Sequence, residues 1–474
     1  MSNDHAKEGL FLGAARPLTG TGAGNSLRLP PHHLTTHGVV VGMTGSGKTG
    51  LITVLVEEAL RACVPVLLID VKGDLANLLL AFEDFSPAVI EPWVEPGPHD
   101  HSPDAQQRLA AKLAAERQSG LTAWGLGAAD LIDYRANTSV RVITPGAEAG
   151  ELLHVLSSLE RRSNRWDNDV EGARAALSAA ISLILRLLGR DPDPARSREH
   201  VLLSVLAERR LVRGEPADIG ALLPEITSPP MASIGALSMD AFMSKRARNE
   251  LAASLNTLLA SPSFASWRQG ATLDVGAWMQ PVNGRTPVTI VSVAHLDDDE
   301  RELVLGVVLE EVLSWVRGLP GSQRLRALVV FDEVYGFLPP HPATPPTKRP
   351  LVALMKQARA FGVGVLIATQ NPMDIDYRAL SNAGLWCLGR LQTDADRARV
   401  LDGLVGSGGA GDPQQLSNVL KRLTPRWFVM RDVHSKAGTI FLQPRWALTF
   451  MRGPMTRVEI RRARAAAAAS GFAV

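Results

Sequence analysis

Gly42-Met43-Thr44-Gly45-Ser46-Gly47-Lys48-Thr49 fills every position of the G-x-x-x-x-G-K-[ST] phosphate loop. It stands between Gly38-Val39-Val40-Val41, with the length and branching of a buried strand, and Leu51 to Ala59, with apolar residues at helical spacing. A strand, a glycine turn and a helix are what such a loop requires, so the chain reads as an NTPase. Glycines at 42, 45 and 47 admit backbone conformations closed to other residues, which lets successive N–H groups point at phosphate oxygens. The helix start adds its positive dipole end. Thr44, Gly45, Ser46, Gly47, Lys48, Thr49 and Gly50 form the expected nucleotide cradle. Lys48 would reach the β and γ phosphates, and the Thr49 hydroxyl would fill one octahedral position on Mg²⁺.

A phosphate loop needs acidic groups on a neighbouring strand. Ala327-Leu-Val-Val-Phe-Asp332-Glu333 reads as a strand ending in two carboxylates. Asp332 would hold Mg²⁺ through a water, and Glu333 would orient or deprotonate the attacking water. The pair favours hydrolysis over nucleotide binding alone. A solvated Asp-Glu at a strand end is the plainer reading of that dipeptide taken by itself.

The chain has 474 residues, 46% hydrophobic and 21% charged, enough for one large α/β core with an added lobe. Its net charge of +2 gives no global argument for nucleic acid, so any basic surface must be local. Cys63 and Cys387 lie in apolar surroundings without C-x-x-C spacing, which predicts neither disulfide nor zinc site and points to a reducing cytoplasm. No apolar leader follows a basic start, and no apolar run is long enough for a membrane span.

Strand patterns at 38–42, 64–70, 140–144, 288–294, 327–333, 363–369 and 384–391 alternate with helical ones, predicting a mainly parallel sheet covered on both faces. The expected organisation is a lead-in over 1–35, a first core part over 36–149, a mostly helical insertion over 150–275, a second core part over 276–460 and a helical tail over 461–474 that frays at its end. Within the insertion, Arg161-Arg162 with Arg165 and Lys245-Arg246 with Arg248 are basic clusters, more simply solvated helix faces than polyanion contacts. The proline-dense stretch Gly336 to Pro350 excludes helix and central strand. It carries Lys348 and Arg349 beside the carboxylate strand, either as a loop projecting toward DNA or as a rigid connector.

Further stretches complete a pattern: Leu68-Ile-Asp70-Val-Lys72-Gly73-Asp74, Lys356-Gln-Ala-Arg359-Ala-Phe-Gly362, Ala368-Thr-Gln370-Asn371-Pro372 and Arg445-Trp-Ala-Leu-Thr-Phe-Met-Arg452-Gly-Pro. With the two nucleotide motifs, their order from His33 to Pro454 resembles the HerA/FtsK superfamily of DNA-pumping ATPases, nearest to HerA-like bacterial ATP-binding proteins. The resemblance implies a RecA-like core assembling as a hexameric ring, ATP at subunit boundaries and double-stranded DNA in the channel. It implies that Gln370 senses the γ-phosphate and that a cation acts across the boundary, with Arg359 and Arg390 as candidates. Asp70 and Lys72 fall near the carboxyl edge of the sheet without an assigned role.

Two departures bear on what carries over. About 37 residues precede the first core strand, too few for the N-terminal β-barrel of HerA proper. The chain also ends soon after Arg452-Gly453-Pro454, which leaves room for a partner protein such as a nuclease in DNA processing or defence. The leading expectation is an ATP-driven DNA translocase. The alternative is a regulatory ATPase that scaffolds an effector; a secretion motor and a small-molecule kinase rank lower.

Overall fold

Eleven strands form one sheet whose central members are apolar on both faces. The computed structural model describes residues 9–18, 24–97, 102–160, 162–163, 165–406 and 413–473. In chain order the strands are β1 (Leu10–Pro17), β2 (Asn25–Leu29), β3 (Gly38–Val41), β4 (Val66–Asp70), β5 (Thr138–Ile143), β6 (Thr286–Ser292), β7 (Ala327–Asp332), β8 (Val363–Thr369), β9 (Leu385–Leu388), β10 (Phe428–Asp432) and β11 (Thr439–Pro444). Across the sheet they run β2-β1-β11-β10-β9-β3-β8-β7-β4-β6-β5. From β9 to β5 all neighbours are parallel, and from β10 to β2 they are antiparallel.

The parallel strands are buried throughout because helices cover both faces. Alternate residues of β3 enter different cores: Val39 and Val41 join the cluster that includes the insertion helices, and Val40 joins the one beneath the phosphate-loop helix. The longer helices used below are α1 (Lys48–Arg61), α2 (Ala105–Thr122), α3 (Val170–Leu187), α4 (Arg198–Val212), α5 (Ile219–Thr227), α6 (Lys245–Ala260), α7 (Asp298–Arg317), α8 (Lys348–Gln357) and α9 (Arg457–Ala469). Helices α3 to α6 pack on one another, and α3 packs on α7. Among the described residues, no helix is long and apolar enough to cross a membrane.

The expected α/β architecture with a mainly parallel sheet is present, with several differences of detail. The lead-in contributes β1 and β2, which extend the sheet past β11. The stretch 336–350 is not wholly irregular: Lys348, Arg349 and Pro350 form the first turn of α8, where proline needs no donor. The chain end does not fray up to residue 473. Phe472 is buried, its carbonyl accepts from Val140 N at 3.0 Å, and Ala473 bridges Val140. Cys387 is buried in β9, but Cys63 is exposed in the turn after α1.

Candidate nucleotide-hydrolysis site

Parallel strands deliver their carboxyl ends to one edge of the sheet, and the loops leaving β3, β7, β4 and β8 meet there. The loop after β3 turns through Gly45 (φ 77°) and Gly47 (φ 95°) into α1. Gly47 is also a close approach: a Cβ there would lie 3.2 Å from the Arg426 backbone. Lys48 folds over the loop, donating to the Gly42 carbonyl at 2.5 Å. Burial pushes its ammonium down to about 8, with Lys72 lowering it further and Glu333 and Asp332 working the other way.

Opposite the loop, β7 ends in Asp332, and Glu333 follows in a left-handed conformation (φ 60°). Such a conformation costs a residue with a Cβ about 1 kcal/mol or more, so the surroundings must hold it. They do. Lys72 Nζ donates to Glu333 Oε2 at 2.5 Å, Gln370 Nε2 to the same oxygen at 2.6 Å, and Gln370 N to Oε1 at 3.2 Å. Burial raises the Glu333 pKa, yet these bonds outweigh it and leave the carboxylate below its ordinary value. Gln370 also accepts from the Thr44 hydroxyl through Oε1, so one amide joins the phosphate loop to the prospective base.

Asp332 is paired in register with Asp70 of β4. Burial pushes Asp332 up to about 6, against the pull of Lys72 and Lys48. Asp70 is fully buried and pushed up to about 7 by burial and by Asp332, although Gly73 N donates to its Oδ1 at 2.8 Å. Its Oδ2 has no hydrogen-bond partner. Two desolvated carboxylates beside a threonine-bearing loop form a donor set suited to a hard divalent cation, which favours their ionised state. Among the described residues, no group of three or more His, Cys, Asp or Glu is placed to hold a metal alone. A cation here would need Thr49, Asp332 and phosphate oxygens together.

The phosphate loop, Asp332, Glu333 and Gln370 are thus brought to one edge, and the two arginines are separated. Arg390 is exposed just after β9, and its carbonyl accepts from Met43 N at 3.0 Å, so it borders its own phosphate loop. Arg359 precedes β8, whose seven residues span about 23 Å at roughly 3.3 Å per residue. It lies at the opposite edge, beside His37 and His434, out of reach of its own loop.

Lys348 is tucked in, donating to Ala343 O at 2.9 Å and pairing with Asp376 at 3.3 Å. Arg349 is more open and reaches Glu310 at 2.6 Å. In the insertion, Arg246 pairs with Glu250 and Arg248 with Asp240, each at 2.9 Å, and Arg162 pairs with Asp167. Arg161 and the Arg165 side chain lie outside the described residues. The participants that sequence reasoning left without a role are Lys72 and Asp70. The signal for Asp70 was present, because Leu-Leu-Ile-Asp70 and Val-Val-Phe-Asp332 end alike, as adjacent parallel strands do.

Residues 18–86, which contain the phosphate loop, match the family model described as Helicase HerA-like C-terminal. Over that segment the chain is HerA-like. No curated protein matches it. Among solved structures, VirB4 of Thermoanaerobacter pseudethanolicus is 13% identical, with 92% of this chain and 96% of that one covered and a TM-score of 0.53, which shows a shared fold. The plasmid coupling protein TrwB in complex with ADP and Mg²⁺ is 13% identical over 90% of this chain and 89% of that one, with a TM-score of 0.49. The genome packaging NTPase B204 from Sulfolobus turreted icosahedral virus 2 is 16% identical over 34% and 68%, with a TM-score of 0.23. The HerA-like chain therefore has the P-loop NTPase fold of VirB4, with its loop and carboxylates on the edge where that fold binds ligands.

Proposed function

We propose that this HerA-like chain hydrolyses ATP with Mg²⁺ and works as a ring motor, a hexamer by the family resemblance, on double-stranded DNA. The observation that carries the reading is the Thr44–Gln370–Glu333 connection. A water held by Glu333 would attack the terminal phosphate in the Thr44–Thr49 loop, and the Gln370 amide would register its loss. Lys48 neutralises charge on the phosphates, and Thr49 and Asp332 would hold the cation, which shields the charge that develops between them. Lys72 holds the Glu333 carboxylate and must release it before Glu333 can accept a proton from water.

Arg359 is the better candidate for a cation acting in trans. Its distance from its own loop means that it serves a phosphate only where a neighbour presents its carboxyl edge to this subunit's amino edge, as in a closed ring. Arg390, beside its own loop, suits a role within the subunit.

Hydrolysis measured with linear duplexes of graded length tests the motor. Stimulation that grows with length supports it, as does stimulation that falls steeply with salt, since a phosphate-tracking protein displaces counterions. A second reading, an ATPase that scaffolds an effector without travelling, is favoured by the inward Lys348 and the locally paired insertion arginines. Hydrolysis indifferent to every duplex would replace the motor with that reading.

A further inference from the structure

Beside the phosphate loop lies a cavity that the chemistry of phosphate transfer does not use. Its volume is about 310 Å³, within the roughly 300–1,000 Å³ usual for small-molecule sites. Gly47 and Gly50 form its floor, Leu51 and Met451 line it with apolar surface, and Arg426 and Trp446 stand at its side. We propose that this cavity is the nucleobase subsite, taking the purine of the bound nucleotide by stacking on the Arg426 and Trp446 planes. The proposal rests on the nucleotide reading above and deepens it.

Position is the first argument. Phosphates held by residues 44–49 leave the rest of the nucleotide to depart past the start of α1, and the cavity opens there. A Cβ at Gly50 would meet no atom within 4 Å, so the space above the helix start is clear. Shape is the second. The Arg426 guanidinium lies 4.9 Å from the Trp446 ring centroid, a cation–π pair that a flat heterocycle can extend. Arg426 is itself fixed to the loop, with its N donating to Ser46 O at 2.9 Å and its φ at 64°.

The third argument is how Trp446 is held. Arg445 is fully buried and paired with Glu57 and Glu58 of α1, each at 2.9 Å. Leu448 N and Thr449 N donate to Glu57 at 2.9 Å each. These bonds fasten residues 445–449 to the phosphate-loop helix. On its far side Trp446 lies against α2 at Gly120, where a Cβ would fall 2.5 Å from the indole. The strap thus presents an aromatic plane at a fixed place beside the phosphates, which makes Arg445 a positioning residue. Few polar atoms line the cavity, so stacking rather than edge recognition governs the fit, and adenine and guanine nucleotides bind with similar affinity.

The test is calorimetric titration of the full chain carrying Glu333→Gln, with Mg²⁺, using ATP and inorganic tripolyphosphate as separate probes. Adding Trp446→Ala or Arg426→Asn should weaken ATP about tenfold and leave tripolyphosphate unchanged. Trp446→Phe should restore ATP binding, which a merely structural role for the ring would not require. Asparagine tolerates the left-handed backbone at 426, and unchanged tripolyphosphate binding certifies the loop in each variant. Equal loss of both probes, or loss of neither, overturns the subsite. A chain that binds ATP as described but ignores duplex DNA leaves the subsite standing and defeats only the motor. A chain that binds neither probe defeats the nucleotide reading and the subsite together.

Discussion

Two buried ionic clusters flank the phosphate loop, and they are built on opposite principles. Around Arg445, both oxygens of Glu57 and Glu58 have partners: the Arg445 guanidinium, Leu448 N, Thr449 N, Arg61, and Phe11 N at 2.7 Å. Arg445 also donates to the carbonyls of Trp446 at 2.6 Å and Phe11 at 3.2 Å. Around Asp332 the compensation is incomplete. Asp70 and Asp332 are pushed toward neutrality, Lys48 toward loss of its proton, and one Asp70 oxygen has no partner. A cluster whose charges are matched within the fold holds geometry. One whose charges are unmatched is completed by something outside it, here a divalent cation and phosphates.

Breaking the matched cluster should have the largest effect. Arg445→Met strands two buried carboxylates and should cost about 3–5 kcal/mol in chemical denaturation. A change under about 1 kcal/mol would mean that the cluster is not holding the strap.

The unmatched cluster should respond in the reverse sense. Asp70→Asn keeps an acceptor for Gly73 and removes a buried charge, so at pH 8 it should stabilise the chain without cation by about 1–3 kcal/mol. The sign follows from linkage. The folded-state pKa of Asp70, about 7, lies above the ordinary 3.8, so the penalty is absent below pH 4, grows between 4 and 7 and is complete above. The variant's advantage should vanish near pH 4, and an advantage that persisted there would assign the gain to packing instead.

The smallest effect is on nucleotide affinity against pH. With Lys48 lowered to about 8, phosphate binding must restore its proton above that pH. Affinity should then fall by about tenfold per pH unit above 8, with proton uptake at pH 9 and none at pH 7 by calorimetry in buffers of different ionisation enthalpy. Equal uptake at both would remove Lys48 as the responsible group.

The same contrast explains what could be read before folding. Residues 42–49 and Asp332-Glu333 were legible because phosphate chemistry demands fixed residue types at fixed local spacing. The central strands were legible because a sheet covered on both faces needs continuous branched apolar runs such as Gly38–Val41 and Val363–Thr369. The antiparallel extension was not, since β1, β2 and β11 mix exposed and buried positions and owe their place to partners far along the chain. Nor was the Arg445 cluster, which joins residues 388 positions apart. Local spacing also could not tell Arg359 from Arg390. Which end of a strand an arginine occupies becomes functional information only when the sheet assembles.

The central claim is that the unmatched cluster is a hydrolysis centre with Glu333 as its base. It is tested most directly by measuring ATP binding and Mg²⁺-dependent hydrolysis on the same preparations of the chain and of Glu333→Gln. Hydrolysis should fall about 10²–10⁴-fold while ATP affinity is retained. Hydrolysis near the unsubstituted rate, or ATP affinity lost along with it, would contradict the account.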